Sequence, residues 1–142
     1  MDIYPTDLQR EALLKFADAL GSRRGALVRD ECGDWRIEGN RGHIYAVLGA
    51  LDEPRIAGFQ IYFGDVRVEK GWLNTKREMT FAKVMQDGDV DGCVFMGRPP
   101  TKAEAEVIRR RLGILKKRVV GELELERLRT QMASFNAQRV DA

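Results

Sequence analysis

The sequence is poor in the residues that disulfides, zinc sites and many catalytic centres require. Its 142 residues include two cysteines, Cys32 and Cys93, and a single histidine, His43. The cysteines lack CxxC spacing, so we expect them to be free, half-buried strand residues. A zinc site built from these three residues would lack the ligand spacing that such sites normally show. We therefore expect no metal and no other cofactor.

The common catalytic and nucleotide-binding motifs are missing as well. The chain contains no GxSxG, no HExxH, no P-loop and no dinucleotide fingerprint. With one histidine, acid–base chemistry would depend on carboxylates or lysines in special environments. The sequence therefore predicts a protein that is not an enzyme and has no catalytic residues.

Long apolar runs are also absent. Residues 1–10 are polar, no signal-peptide core follows them, and no segment has the length and apolar character to span a bilayer. We therefore expect a cytoplasmic protein without a membrane partner. The length and the 44% apolar content fit a globular domain with a real core.

Helix-capping residues and a change in the spacing of the apolar residues together predict an α+β domain. Thr6 and Gln9 form a capping box before an apolar stripe, which predicts a helix near 6–20 that ends at Gly21. From Gly25 the apolar period becomes two, which favours an antiparallel meander of about five strands within 26–96. The predicted strands are 26–32, 35–38, 43–48, 59–63 and a hairpin of 81–85 with 93–96.

Two stretches complete the predicted organisation. Residues 65–83 stay ambiguous, because Val66 and Val68 could form an edge strand while Thr75–Lys83 could be helical or extended. Near the C-terminus, Thr101 and Glu104 form a second capping box and predict a helix near 101–112, with another near 121–137. We assign residues 1–118 to one domain and 119–142 to a helix that packs on that domain or dimerises. The predicted core is Leu13, Phe16, Leu20, Val28, Trp35, Ile37, Ile44, Phe59, Ile61, Phe63, Phe81, Val94, Ile108 and Leu112.

Several strings between residues 22 and 118 resemble a group of small uncharacterised proteins of alphaproteobacteria, especially rhizobial relatives. The strings are DECGDWRI at 30–37, GHIYAV at 42–47, QDGD at 86–89, PTKAEAE at 100–106 and LGI at 112–114. The resemblance implies a bacterial, cytoplasmic setting. It assigns no activity, cofactor, partner or functional residue.

An acidic, glycine-rich segment provides the sharpest short motif. Asp87, Asp89, Asp91 and Gly92 match the first six positions of a calcium loop. Position 12, where such loops carry a bidentate glutamate, is Arg98, and the flanking residues are typical of strands. The pattern therefore favours a solvated hairpin turn, and whether it binds a cation stays open.

The most distinctive electrostatic feature is a basic cluster in the C-terminal third. Between residues 108 and 118 there are six cations and no carboxylate: Arg109, Arg110, Arg111, Lys116, Lys117 and Arg118. Such clusters are typical of polyanion binding. The arginines before Gly113 could instead favour a helix C-terminus, whereas Lys116–Arg118 lie beyond it. Arg23 and Arg24 would extend the cluster if folding brought them near.

The predicted final helix carries an apolar seam. Leu125, Leu128, Met132 and Phe135 are spaced three, four and three residues apart, which is the a/d pattern of packed helices. The seam fits packing within the chain or against a second copy. The sequence therefore predicts a non-catalytic accessory or regulatory protein that binds nucleic acid through the basic cluster. The alternative is a protein-interaction module or inhibitor that uses the sheet or the final helix.

Overall fold

The computed structural model describes residues 5–49, 55–65, 67, 69–117 and 122–140. It has the α+β architecture that the sequence predicts, with an N-terminal helix, an antiparallel sheet and two helices at the C-terminal end. The helices are α1 (Pro5–Leu20), α2 (Gly71–Glu78), α3 (Lys102–Leu112) and α4 (Glu122–Val140). The strands are β1 (Leu27–Arg29), β2 (Trp35–Glu38), β3 (Gly42–Leu48), β4 (Ile56–Gly64), β5 (Lys83–Asp87) and β6 (Asp91–Met96).

Among the residues that the structure describes, the sheet has six strands where about five were predicted, and it is not a simple meander. Its order is β1-β2-β3-β4-β6-β5, with every neighbouring pair antiparallel. The chain leaves β4, forms α2, and returns at the edge as β5 before β6 inserts beside β4. The ambiguous stretch thus contains a helix, while the predicted edge positions Val66 and Val68 lie outside the described residues.

The main core lies between α1 and one face of the sheet. Phe16 of α1 is fully buried, and its ring centroid lies 4.5 Å from that of Phe59 on β4. Helix α3 packs beside α1 and buries Ile108 and Leu112, while α2 packs against β4 and β6. Alternation places Ile44 in this core and the half-buried Tyr45 on the opposite face of β3.

Most of the predicted core residues are buried, and three positions differ. Val28 and Phe81 are only partly buried, and Trp35 is a half-buried residue packed against the core. Val28 pairs with Arg36 at the short edge strand β1, where burial is incomplete. The core that the sequence did not predict includes Trp72, Met79, Met96 and Ile114.

The cysteines are free, but their settings differ from each other. Cys93 is buried in β6, whereas Cys32 is exposed in the turn between β1 and β2. The prediction that both are half-buried strand residues is therefore wrong. Strand β1 ends at Arg29, before Cys32, and Asp30 organises the turn by accepting hydrogen bonds from the backbone amides of Cys32 and Asp34, both 2.9 Å.

Candidate nucleic-acid interface

The arginines of the basic cluster make contacts within the fold. Arg109 Nη1 donates a 2.8 Å hydrogen bond to the carbonyl of Leu20, the last residue of α1. No basic residue occupies the last turn of α1, so Arg109 supplies the cation that the carbonyl end of a helix favours. Arg109 therefore ties the end of α1 to α3.

The next two arginines share one carboxylate on α2. Glu78 accepts hydrogen bonds from Arg110 Nη2 at 2.6 Å and from Arg111 Nη2 at 2.5 Å and Nε at 3.1 Å. The hydrogen bonds from Arg111 are the main cause that lowers the pKa of Glu78, although burial acts against them. Arg41 in turn donates to the carbonyls of Arg110 and Arg111 at 2.6 and 3.0 Å. These contacts connect α2, α3 and the β2–β3 turn.

The lysines beyond Gly113 have a different setting. Gly113 ends α3 in the left-handed conformation, with φ of 66°. The chain then runs antiparallel to residues 21–23, with Arg23 N donating to Leu115 O at 2.9 Å and Lys117 N donating to Gly21 O at 2.7 Å. Arg23, Lys116 and Lys117 are exposed there. The structure thus brings Arg23 beside the two lysines, while Arg118 and the side chain of Arg24 lie outside the described residues.

Beside this pairing lies a cavity that we call the basic groove. It has a volume of about 380 Å³ between α1, the turn that follows it, β1–β2 and Lys117. Its polar and aromatic lining is Arg10, Asp18, Ser22, Arg23, Trp35 and Lys117, and its apolar lining is Leu14, Ala17 and Leu27. Among the described residues, none of the three cations of the groove forms an ion pair.

Two further features distinguish the groove from an ordinary charged surface. Ser22 is only 8% exposed, and its buried Oγ has no hydrogen-bond partner among the described residues. The ring of Trp35 has two guanidinium groups against it, those of Arg10 at 5.3 Å and Arg29 at 5.2 Å from its centroid. Within the described part of the chain, the groove thus combines three cations without ion pairs, a buried hydroxyl without a hydrogen-bond partner and an aromatic ring.

Sequence reasoning identified Arg23 and Lys117 but missed Arg10, Ser22 and Trp35 as members of a site. Arg10, Leu14 and Ala17 follow helical spacing on a face of α1 beside the main core stripe. Leu14 is 40% exposed and lines the groove, whereas Ala17 lines the groove and also packs against the core. The remaining members come from distant parts of the chain, which no local pattern could connect.

The acidic motif lies in the β5–β6 hairpin, and its first residue connects that hairpin to α2. Asp87 Oδ1 accepts hydrogen bonds from Trp72 Nε1 at 2.9 Å and from Lys76 Nζ at 2.7 Å, and the bond from Lys76 is the main cause that lowers the pKa of Asp87. Arg98, the mismatch to a calcium loop, forms a bidentate pair with Glu104. No group of three or more metal-ligand side chains suited to holding an ion occurs among the described residues.

A polar network occupies the other face of the sheet, away from the basic groove. Tyr45 Oη donates to Asp30 Oδ2 at 2.8 Å, and this bond is the main cause that lowers the pKa of Asp30. His43 stacks on Tyr62 with 5.1 Å between ring centroids, and burial lowers the pKa of His43. These groups bind one another, so we ascribe to them a role in holding the β1–β2 turn, β3 and β4 together.

Helix α4 presents the predicted seam largely to solvent. Leu125, Met132 and Phe135 are 39%, 67% and 65% exposed, and Leu128 is partly buried. Among the described helices, none has the length and the apolar character needed to cross a membrane. Comparisons with protein-family models, curated proteins and solved structures found no match.

Proposed function

We propose that this is a cytoplasmic, non-catalytic accessory or regulatory protein that binds nucleic acid through the basic groove. The observation that carries the proposal is that Arg10, Arg23 and Lys117 line one cavity without ion pairs among the described residues. Unpaired cations on one surface attract phosphates and release their counterions.

The charge balance of the groove supports an anionic ligand. Three cations face one carboxylate, that of Asp18, so the lining has a formal charge of +2. Lys116 adjoins Lys117, and Arg29 lies against Trp35, so two more cations border the groove. By contrast, Arg110 and Arg111 are neutralised in part by Glu78. We therefore move the proposed phosphate contacts from Arg109–Arg111 to the groove.

A second kind of contact besides charge is available beside Trp35. Ser22 lines the groove, but its Oγ is buried, so the exposed side chains of Arg10, Arg23 and Lys117 make the proposed phosphate contacts. Bases stack on guanidinium planes as well as on aromatic rings, so the guanidinium groups of Arg10 and Arg29 beside Trp35 offer flat surfaces to unpaired bases. Because both kinds of contact are independent of sequence, we expect binding with little base preference.

The test is the salt dependence of binding to a labelled single-stranded oligonucleotide and to its duplex, measured by fluorescence anisotropy. The logarithm of the binding constant should fall linearly with the logarithm of the salt concentration. For three phosphate contacts, the expected slope is about −2 for the single strand and about −3 for the duplex. The double variant Arg23→Ala, Lys117→Ala leaves Arg10 and should reduce the slope to about one third of its value.

A matched control removes the same charge elsewhere. Lys83 and Lys102 are exposed and lie outside the groove, so Lys83→Ala, Lys102→Ala should bind almost as the parent does. The proposal is refuted if the parent binds neither nucleic acid at low salt. Equal losses in the two double variants would refute the groove as the site.

A protein partner is the second candidate, and the exposed seam of α4 favours it. Apolar contacts between proteins depend only weakly on salt, so a protein complex formed through α4 should persist at salt concentrations that abolish nucleic-acid binding. A pull-down from native lysate with and without nuclease separates the two candidates.

A further inference from the structure

The apolar seam of α4 forms a shallow groove, and every described residue that lines it belongs to this helix. Leu128, Met132 and Phe135 line it together with polar neighbours of the same helix. Met132 and Phe135 are each about two-thirds exposed. Large apolar side chains aligned on one helix face are typical of surfaces that another helix covers.

The positions that flank the seam indicate what covers it. With Leu125 and Met132 at heptad position a, and Leu128 and Phe135 at d, Glu124 falls at g and Arg129 at e. In a parallel pair of helices, a g residue lies opposite the e residue five positions later in the other helix. Two identical copies of α4 would therefore bring Glu124 of each copy opposite Arg129 of the other.

The antiparallel alternative has opposite electrostatics. The spacing of three, four and three residues is symmetric about residue 130, so an antiparallel pair would also bury the seam, with Leu128 opposite Met132 of the other copy. That arrangement places e opposite e, which sets Arg129 against Arg129 of the second copy. Like charges in this position are unfavourable, whereas the parallel arrangement has two attractive pairs. Charge complementarity thus selects the parallel orientation.

We propose that α4 binds a second copy of this chain as a parallel, in-register two-helix seam. The interface is isologous, with each seam residue facing its own counterpart. The inference goes beyond nucleic-acid binding and does not require it. It has a consequence for the basic groove, because only four residues separate Lys117 from the first residue of α4. A parallel dimer therefore carries both grooves at the same end of the helix pair.

The seam spans only two heptads, so we expect a dissociation constant in the micromolar range. Sedimentation equilibrium of the whole chain from about 5 to 200 μM should show a reversible monomer–dimer equilibrium. Arg129→Glu places two glutamates opposite Glu124 in the parallel dimer and should raise the dissociation constant about tenfold.

Arg127→Glu is the matched control. Arg127 and Arg129 each lie three residues after a glutamate, so each variant places one like charge three residues from a glutamate of its own helix. Position 127 is a heptad c position that points away from the partner, so its variant should dimerise as the parent does. In an antiparallel dimer, Arg129→Glu would only exchange one like-charge contact for another, and the two variants would behave alike.

A cysteine cross-link reports the orientation directly. In a Cys32→Ser background, Leu128→Cys should form a disulfide-linked dimer under mild oxidation, because residue 128 faces its own counterpart only in the parallel pair. Circular dichroism confirms that each variant keeps its helix content. A chain that remains monomeric at about 200 μM, equal affinities of the two charge variants, or a Leu128→Cys protein that does not cross-link would each overturn the proposal.

Discussion

The ion pair at the start of α3 makes a pH-dependent contribution to stability that one substitution can isolate. Glu104 accepts hydrogen bonds from Arg98 Nη1 and Nη2 at 2.6 and 2.9 Å and from the backbone amide of Thr101 at 2.9 Å. The guanidinium of Arg98, followed by that amide, lowers the pKa of Glu104 from 4.5 to about 2. Glu104→Gln removes the charge and keeps the shape of the side chain.

The expected magnitude follows from the pKa. A lowering from 4.5 to about 2 corresponds to about 3 kcal/mol if all of it appears as folding free energy. The Glu104 side chain is 14% exposed, but that of Arg98 is 54% exposed, so solvent screens the pair. We therefore expect Glu104→Gln to cost about 1–2 kcal/mol at pH 7.

The sign of the pH dependence is fixed by the direction of the pKa. Because folding lowers this pKa, the stabilisation is complete above the unfolded value of 4.5 and is lost as the pH falls toward 2. The difference in the free energy of unfolding between parent and variant should therefore be smaller at pH 3, at less than about half of the difference at pH 7. Urea denaturation at both pH values measures it, as a shift of the midpoint by about 1 M at pH 7.

The control is Glu106→Gln, which changes an exposed glutamate of the same helix. It should alter the free energy of unfolding by less than about 0.5 kcal/mol at either pH. A loss in Glu104→Gln that is equal at pH 7 and pH 3 would show that the charge of Glu104 is not its source, and no loss at pH 7 would refute the ion-pair argument.

Two further predictions concern packing. Gly92→Ala should lower the free energy of unfolding by about 2 kcal/mol or more, because the new Cβ would overlap the Trp72 indole and the backbone of the neighbouring strand. Gly97→Ala meets no atom within 4 Å and should be close to neutral in the same urea titration; equal stabilities of the two variants would contradict this account. A thiol reagent should modify exposed Cys32 rapidly in the native protein and buried Cys93 only after denaturant is added, since burial also raises the pKa of Cys93. Rapid modification of both thiols without denaturant would contradict the packing of β6.

The sequence predicted best those elements whose ends are marked by capping or turn residues. The capping box of Thr101 and Glu104 and the stop at Gly113 define α3, and both are present in the structure. Strand β2 has the bounds that the sequence predicts, Trp35–Glu38, because a turn precedes it and another follows it. These signals act between residues a few positions apart, so the sequence contains them directly.

The ambiguous stretch marks where local information ends. Helix α2 has a short apolar pattern and starts after Lys70, which takes a positive φ of 57° without a side-chain cap. Its position depends on Trp72, which stacks on Phe63 and donates to Asp87 across the sheet. Those contacts join residues 9–15 positions apart that no local pattern connects, so only the tertiary structure decided between helix and strand.

The sequence by itself determined the α+β class, the ends of α3 and the concentration of cations between residues 109 and 118. Only the tertiary structure decided which groups the arginines among them contact. Arg109 lies 89 residues from the carbonyl that it caps, and Arg111 lies 33 residues from Glu78. A run of like charges has no periodicity that reveals its partners, and the partners of these arginines are set by how α1, α2 and α3 pack. The same packing brings Arg23 beside Lys117 and so creates the basic groove.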